Sequence, residues 1–267
     1  MNLARHEFSI DRVCRKIYRS SVTAELDVFD LFSGIGGFSL GLHWAGFQTV
    51  GFCEADPFCR RVLARHWPGV PIFPDIRRLD GTRLHQDGIR PGLVCGGFPC
   101  QDISLAGRGG GLAGARSGLW AEMARIVGEC RPRWVVVENV PGLRSRGADR
   151  VIGDLAALGY ACWPLVVGAV HAGAPHRRRR VFVLARSNAA AANTKGARLE
   201  MRQPGAAPRP PGLPAERRGG WPAEPGLRRV DDGFPGRVDR VRTLGNAVVP
   251  AVAAAIGRAI RAVEATS

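Results

Sequence analysis

Cys100 stands in Gly96-Gly97-Phe98-Pro99-Cys100-Gln101, a stiff turn directly after the apolar run Leu93-Val94-Cys95. The run reads as a short buried strand, and the paired glycines end it. Pro99 fixes its own φ and steers Phe98 away from helical geometry, so Cys100 is presented in one place. A thiol held on a rigid turn at a strand end has the setting of a nucleophile, although most cysteines are inert small hydrophobes. Two further groups could share its chemistry. The apolar strand Trp134–Val137 delivers Glu138-Asn139-Val140-Pro141, and an acid that ends a buried strand is costly unless it is paired or working. Arg177 to Arg180 lead into another strand. Alternate positions share a face there, so Arg178 and Arg180 can reach one site together, while a charge run of this kind reads equally well as a solvated face.

A second set of residues could hold a ligand. Asp30-Leu31-Phe32-Ser33-Gly34-Ile35-Gly36-Gly37 reads as a strand, a glycine-rich turn and the start of a helix. Its glycines let a ligand approach the backbone closely at the helix N-terminus. The spacing is not the G-x-G-x-x-G of dinucleotide sites. Glu54-Ala55 ends the next strand about 20 residues on, where an acid can bind ribose hydroxyls. Asp75-Ile76, after Pro74, places another acid at the same rim. Two acids with no lysine near the turn suit a ligand carrying a nucleoside but no phosphates, a description that S-adenosylmethionine fits. Solvated acids at strand ends are the plainer account of the same residues.

The elements that must position these groups alternate along the chain. Strands are expected over Asp27–Phe32, Thr49–Glu54, Leu93–Cys95, Trp134–Glu138, Ala161–Val167 and Val181–Ala185, with helices around Phe38–Ala45, Phe58–Trp67, Leu119–Cys130 and Ala148–Leu158. Such alternation implies a parallel sheet with helices on both faces. Ligands of such sheets bind at the carboxyl ends of the strands, and every motif above sits there. Residues 1–25 read as an N-terminal extension in which Ile10, Val13, Cys14 and Ile17 have helical spacing. Residues 26–187, which carry the candidate nucleophile and the candidate ligand-binding acids, are expected to form one catalytic and cofactor-binding domain. Residues 188–242 interleave eight prolines with glycine and arginine and lose all periodicity, as in a small irregular subdomain or linker. Residues 243–267 carry an alanine-rich apolar helix from Val248 to Val263, with Pro250 in its first turn.

Charge points to a polyanionic partner. The net charge is +15, and the stretch from Arg144 to Arg242 holds 19 Lys or Arg against 8 Asp or Glu. GC-rich coding explains arginine in place of lysine but not the shortage of acids. Seven cysteines without framework spacing argue for a reducing compartment, and no pair has the spacing of a zinc site, so no metal is expected. The first 25 residues do not read as a secretory signal, and no apolar run approaches the roughly 20 residues of a membrane span.

In this order the residues resemble the cytosine-5 DNA methyltransferases of bacteria and phages. The resemblance rests on Phe32 to Gly37, Glu54, Asp75, Pro99-Cys100-Gln101, Glu138-Asn139-Val140, Arg178 with Arg180, and Gly245-Asn246-Ala247-Val248, and it covers residues 27–185 and 243–260. It implies a Rossmann-like S-adenosylmethionine-dependent methyltransferase fold, α/β, with a mostly parallel sheet. It implies that the Cys100 thiolate adds to carbon 6 of a cytosine flipped out of duplex DNA, which makes carbon 5 nucleophilic. Glu138 would hydrogen-bond the pairing edge of the base, Arg180 its carbonyl, and Arg178 the cysteine loop and a phosphate. Phe32 would lie against the adenine of S-adenosylmethionine, Glu54 with Ala55 at the ribose and Asp75 with Ile76 at the adenine edge. Ser33, Gly34, Ile35, Gly36 and Gly37 would form the cofactor loop, and Pro99, Leu119, Asn246, Ala247 and Val248 would close the pocket. Gln101 and Ser104 would contact the opened duplex.

The sequence departs from the family's pattern in three places. Only residues 188–242 stand where a sizeable recognition domain is usual, which implies a short or loosely specified target. His176 takes the place of a common glutamine, and Ala106 that of a frequent serine. Double-stranded DNA is the partner the resemblance implies, with a restriction endonuclease as a counterpart and a monomeric, cytoplasmic enzyme in a bacterial or phage-infected cell. An RNA cytosine-5 methyltransferase with the same catalytic set, and an inactive DNA-binding relative, are the alternatives. A nicotinamide dehydrogenase is the generic rival for such a fold, but no motif here cradles a pyrophosphate.

Overall fold

The computed structural model describes residues 26–99, 118–174, 178–191 and 243–266. Seven strands form one sheet: β1 (Val28–Leu31), β2 (Thr49–Cys53), β3 (Ile72–Phe73), β4 (Leu93–Gly96), β5 (Trp134–Asn139), β6 (Tyr160–Gly168) and β7 (Arg179–Ser187). Their order across the sheet is β3-β2-β1-β4-β5-β7-β6. The first five run parallel, whereas β7 is antiparallel to both β5 and β6. The sheet is therefore mostly parallel, with one reversed strand. That reversal matters for the site. Asn139 pairs with Val181 and Glu138 with Phe182, so the start of β7 lies beside the end of β5, and its arginines reach the same rim as Glu138.

The helices are α1 (Gly37–Trp44), α2 (Pro57–His66), α3 (Gly81–Gln86), α4 (Gly118–Cys130), α5 (Leu143–Arg146), α6 (Ala148–Ala157), α7 (Asn188–Ala191) and α8 (Pro250–Ala265). The central strands are buried on both faces, which explains their continuous apolar runs. Alternation then sorts their side chains into two clusters. Val135, Val137, Val181 and Val183 pack with Trp120, Met123 and Ile126 of α4 and Val151 and Leu155 of α6 on one face. Trp134, Val136, Phe182 and Leu184 pack with Phe38 and Leu42 of α1 and Val252, Ile256 and Ile260 of α8 on the other.

The C-terminal helix is built into this core. Gly41 of α1 lies so close to α8 that a Cβ there would collide with the Pro250 carbonyl oxygen, and Gly257 of α8 meets Ala45, Leu42 and Phe47. At its far end Glu264 accepts hydrogen bonds from the Trp134 indole (3.0 Å) and from Arg133, with Arg186 at 3.4 Å. By length and composition alone the stretch Thr243–Ala265 is apolar enough to cross a membrane, but Arg258, Arg261 and Glu264 leave no unbroken apolar run of that length, as the sequence reads. Its apolar side is spent on the core, where Val252, Ala253, Ala254, Ile256 and Ile260 are buried.

Candidate functional site

A cavity of about 440 Å³ opens at the carboxyl ends of β1, β2, β4 and β5. Its floor is the turn between β1 and α1. Phe32 adopts a left-handed φ of 53°, a conformation that costs a non-glycine residue about 1–3 kcal/mol and recurs at ligand sites. The hydroxyl of Ser33 donates to the Asp30 carbonyl at 2.6 Å and locks the turn. One oxygen of Glu54 accepts from Gly34 N–H and the other from Asp56 N–H, both at 2.7 Å. A carboxylate accepts about four hydrogen bonds, so Glu54 keeps capacity for a ligand while it fixes the turn. Its position also decides against phosphate, because the Gly34 N–H is already taken by an anion.

Not every residue of the turn faces inward. Phe32, Ser33, Gly34 and Gly37 line the cavity, but Ile35 and Gly36 do not. The left-handed Gly36 (φ 86°) turns toward Trp67, and Ile35 faces a neighbouring groove with Phe58 and Leu244. The tight turn thus sends successive residues in different directions, and the cavity wall is made by Phe32, Ser33, Gly34 and Gly37.

The opposite wall is Asp75 and Ile76, with Arg77 beside them. Asp75 caps a single 3-10 turn, Ile76–Arg78, through the Arg77 N–H at 3.0 Å. That turn is held from outside by Arg125 of α4, whose guanidinium donates to the carbonyls of Ile76 (2.9 Å) and Leu79 (2.8 Å) and pairs with Glu122 and Glu129. Leu119, at the start of the same helix, also lines the cavity. Asn246, Ala247 and Val248 close it from the C-terminal side. They are drawn in by Arg178, which donates to the carbonyls of Gly245 and Ala247, both at 2.7 Å. Gly37 packs against the Val248 carbonyl with no room for a Cβ.

Glu138 is buried at 8% exposure, with Arg180 Nε at 3.0 Å from its carboxylate. Burial pushes its carboxyl up to about 7, against the opposing pull of Arg180 and Arg178. Gly97 faces it so closely that a Cβ would lie 2.7 Å from Glu138 Oε2. Asn139 donates to the Phe98 carbonyl at 3.1 Å, and the Phe98 ring packs 5.5 Å from that of Trp120. The approach to the cysteine turn is thus pinned as far as Pro99, which lines the cavity. Cys100, Gln101, Ser104, Ala106 and His176 lie outside the described residues. Two described thiols, Cys53 and Cys59, line the cavity; Cys53 is pushed up to about 12 by burial and by Glu54, which keeps it protonated. Sequence reasoning missed Arg77, Arg125, Asn139 as a brace, and Thr243, which also lines the cavity.

A sheet of this order with a ligand cavity at its carboxyl rim defines a Rossmann-like methyltransferase fold. The chain belongs to the C-5 cytosine-specific DNA methylase family, whose family model matches residues 26–209. It is 39% identical over 168 residues to the type II methyltransferase M2.BsuMI of Bacillus subtilis, covering 60% of this chain and 42% of that one. It is 33% identical over 177 residues to M.AquIA of Picosynechococcus, covering 60% and 71%. A crystal structure described as a DNA modification methyltransferase encoded within an E. coli prophage superposes with a TM-score of 0.53 at 27% identity, over 62% of this chain and 47% of that one. The Dnmt2 methyltransferase of S. pombe shares the fold, with a TM-score of 0.53 at 22% identity over 65% of this chain and 53% of that one. The chain thus spans about two fifths of the length of the first of these relatives.

Proposed function

We propose that this chain transfers a methyl group from S-adenosylmethionine to carbon 5 of a cytosine flipped out of duplex DNA. The observation that carries the reading is Glu138: a buried carboxyl held near neutrality, paired with Arg180, beside the turn that leads to Cys100. Such a carboxyl can hydrogen-bond the pairing edge of cytosine and share a proton with ring nitrogen 3, which makes carbon 6 electrophilic. The Cys100 thiolate bonds to carbon 6, and the electron pair of the 5,6 double bond moves to carbon 5. Carbon 5 takes the methyl group, its proton is lost to a base, and expulsion of the thiolate restores the ring. Arg180 offers a permanent cation to the carbonyl of the base while it holds the Glu138 carboxylate.

The cavity fits the proposed methyl donor, which supplies a methyl carbon made electrophilic by a sulfonium. Glu54 and Asp75 suit the hydroxyls and cationic groups of such a ligand, Phe32 offers an aromatic face, and the glycine turn has no free phosphate cradle. Phe32, Ser33, Gly34, Gly37, Glu54, Ala55, Asp75, Ile76, Pro99, Leu119, Asn246, Ala247 and Val248 are the residues we assign to it. We assign Gln101, Ser104 and Arg178 to the opened duplex. Residues 188–242 would choose the target, with a restriction endonuclease as counterpart.

The test is methyl transfer from a labelled donor to duplex DNA and to tRNA, followed by base analysis, with Cys100→Ser alongside. We expect 5-methylcytosine in DNA from the natural chain and none from the variant, which should bind S-adenosylhomocysteine within a few fold of the natural chain. A covalent complex on 5-fluorocytosine DNA should form only with Cys100 present. Substantial turnover by Cys100→Ser would refute the mechanism, and label confined to tRNA would refute the substrate.

A further inference from the structure

The consecutive arginines at the start of β7 are split between two faces by strand alternation. Arg180 turns with Phe182 toward Glu138 and the cavity. Arg179 turns the other way, with Val181, toward the face that carries α5 and α6. There it borders a second hollow of about 350 Å³, together with Arg144 and Ser145 of α5, Pro141 and Val166. This hollow is separate from the cavity at Glu138, yet Pro141 is three residues beyond that carboxyl, so both open on one rim. Arg144 and Arg179 are exposed, and neither has an acidic partner among the described residues. Among the described residues, Ser145 spends its hydroxyl only on a long 3.4 Å bond to the Gly142 carbonyl. The other strand-borne arginine, Arg186, is by contrast buried within reach of Glu264.

Two guanidinium groups without an acidic partner among the described residues, and a hydroxyl, around a small hollow match a tetrahedral oxyanion, with the forked donors that phosphate takes up best. We propose that Arg144, Ser145 and Arg179 form a phosphate seat that grips the nucleic-acid backbone on the side of β7 opposite the Glu138–Arg180 pair. The seat holds position and reads no sequence, because phosphate contacts carry none. The start of β7 then serves base and backbone at once, with adjacent residues pointing to opposite faces. This proposal rests on duplex DNA being the substrate.

The experiment measures the affinity of the full chain for a fluorescent 20-base-pair duplex between about 50 and 200 mM KCl, where each phosphate contact contributes about −0.9 to the log–log slope. Arg144→Ala/Arg179→Ala should bind roughly tenfold more weakly at 100 mM and lose about two units of slope. Arg144→Lys/Arg179→Lys should retain the slope. Arg90→Ala/Arg258→Ala, with the same loss of charge away from the rim, should change neither quantity appreciably. Binding of S-adenosylhomocysteine should be unaltered in all of them. If the two alanine pairs behave alike, the seat does not exist, although methylation by the natural chain would still stand. If inorganic phosphate protects the arginine pair from a guanidine-modifying reagent and duplex does not, the site takes free phosphate and the backbone assignment is wrong. If the natural chain fails to bind or methylate any duplex, both this proposal and its parent fall.

Discussion

At the scale of single residues, Glu138 is the group whose environment is most informative. A carboxyl ending a buried strand is expensive when charged, and Arg180 alone does not restore its ordinary acidity. Glu138→Gln keeps the hydrogen-bonding shape but cannot yield a proton. We expect its single-turnover rate to fall by about 100-fold or more, with donor affinity little changed. A rate near that of the natural chain would remove the role. The natural rate should also decline as pH rises through about 7, where Glu138 loses its proton. The position of this acid was legible in the sequence because it interrupts an apolar run. Arg125 was not, because Glu122 and Glu129 at i−3 and i+4 look like ordinary surface pairing until the fold brings the Ile76 and Leu79 carbonyls beneath it. That Ile35 turns to a neighbouring groove and Gly36 toward Trp67 is not legible either, because a motif gives residue types without their directions.

At the scale of elements, strand positions were legible because burial on both faces produces unbroken apolar runs. The reversal of β7 was not, since periodicity carries no direction. The short pieces α3, α5 and α7 were also invisible, being too short to show a period, and the two-residue β3 was marked only by the Pro74-Asp75-Ile76 that follows it. One pairing of elements has a measurable consequence. Helix α4 offers Leu119 to the cavity and, one turn and a half later, Arg125 to the turn behind Asp75, so the helix ties two walls together. Arg125→Met should leave the Ile76 and Leu79 carbonyls without their donor and loosen the Asp75 wall. We expect S-adenosylhomocysteine to bind about tenfold more weakly, equivalent to ~1.4 kcal/mol, while the rate at saturating donor stays within a few fold. Calorimetric titration decides it. An equal loss in rate at saturation, with unchanged affinity, would place the effect elsewhere.

At the scale of the whole molecule, two buried acids make stability depend on pH in an unusual direction. Asp30 lies on the central strand β1, fully buried, with Ser39 donating to it at 2.7 Å. Burial raises its carboxyl from 3.8 to about 7, against the opposing hydrogen bonds of Ser39 and Cys95. Glu138 is raised from 4.5 to about 7 for the same principal reason. Between pH 4 and 7 the folded chain therefore holds protons that the unfolded chain has released. Folding is favoured by these groups below the lower limit, and the advantage is lost as pH rises through about 7. Asp30→Asn cannot titrate but can still accept from Ser39. The melting temperature of the variant relative to the natural chain should thus climb between pH 5 and 8, by roughly 5 °C if most of a few kcal/mol is recovered. Because the comparison is a difference at each pH, the self-repulsion of a chain with net charge +15 largely cancels. A constant offset between the two melting curves across that range would mean that Asp30 is ionised throughout, and that Ser39 and Cys95 suffice to hold its charge in the core.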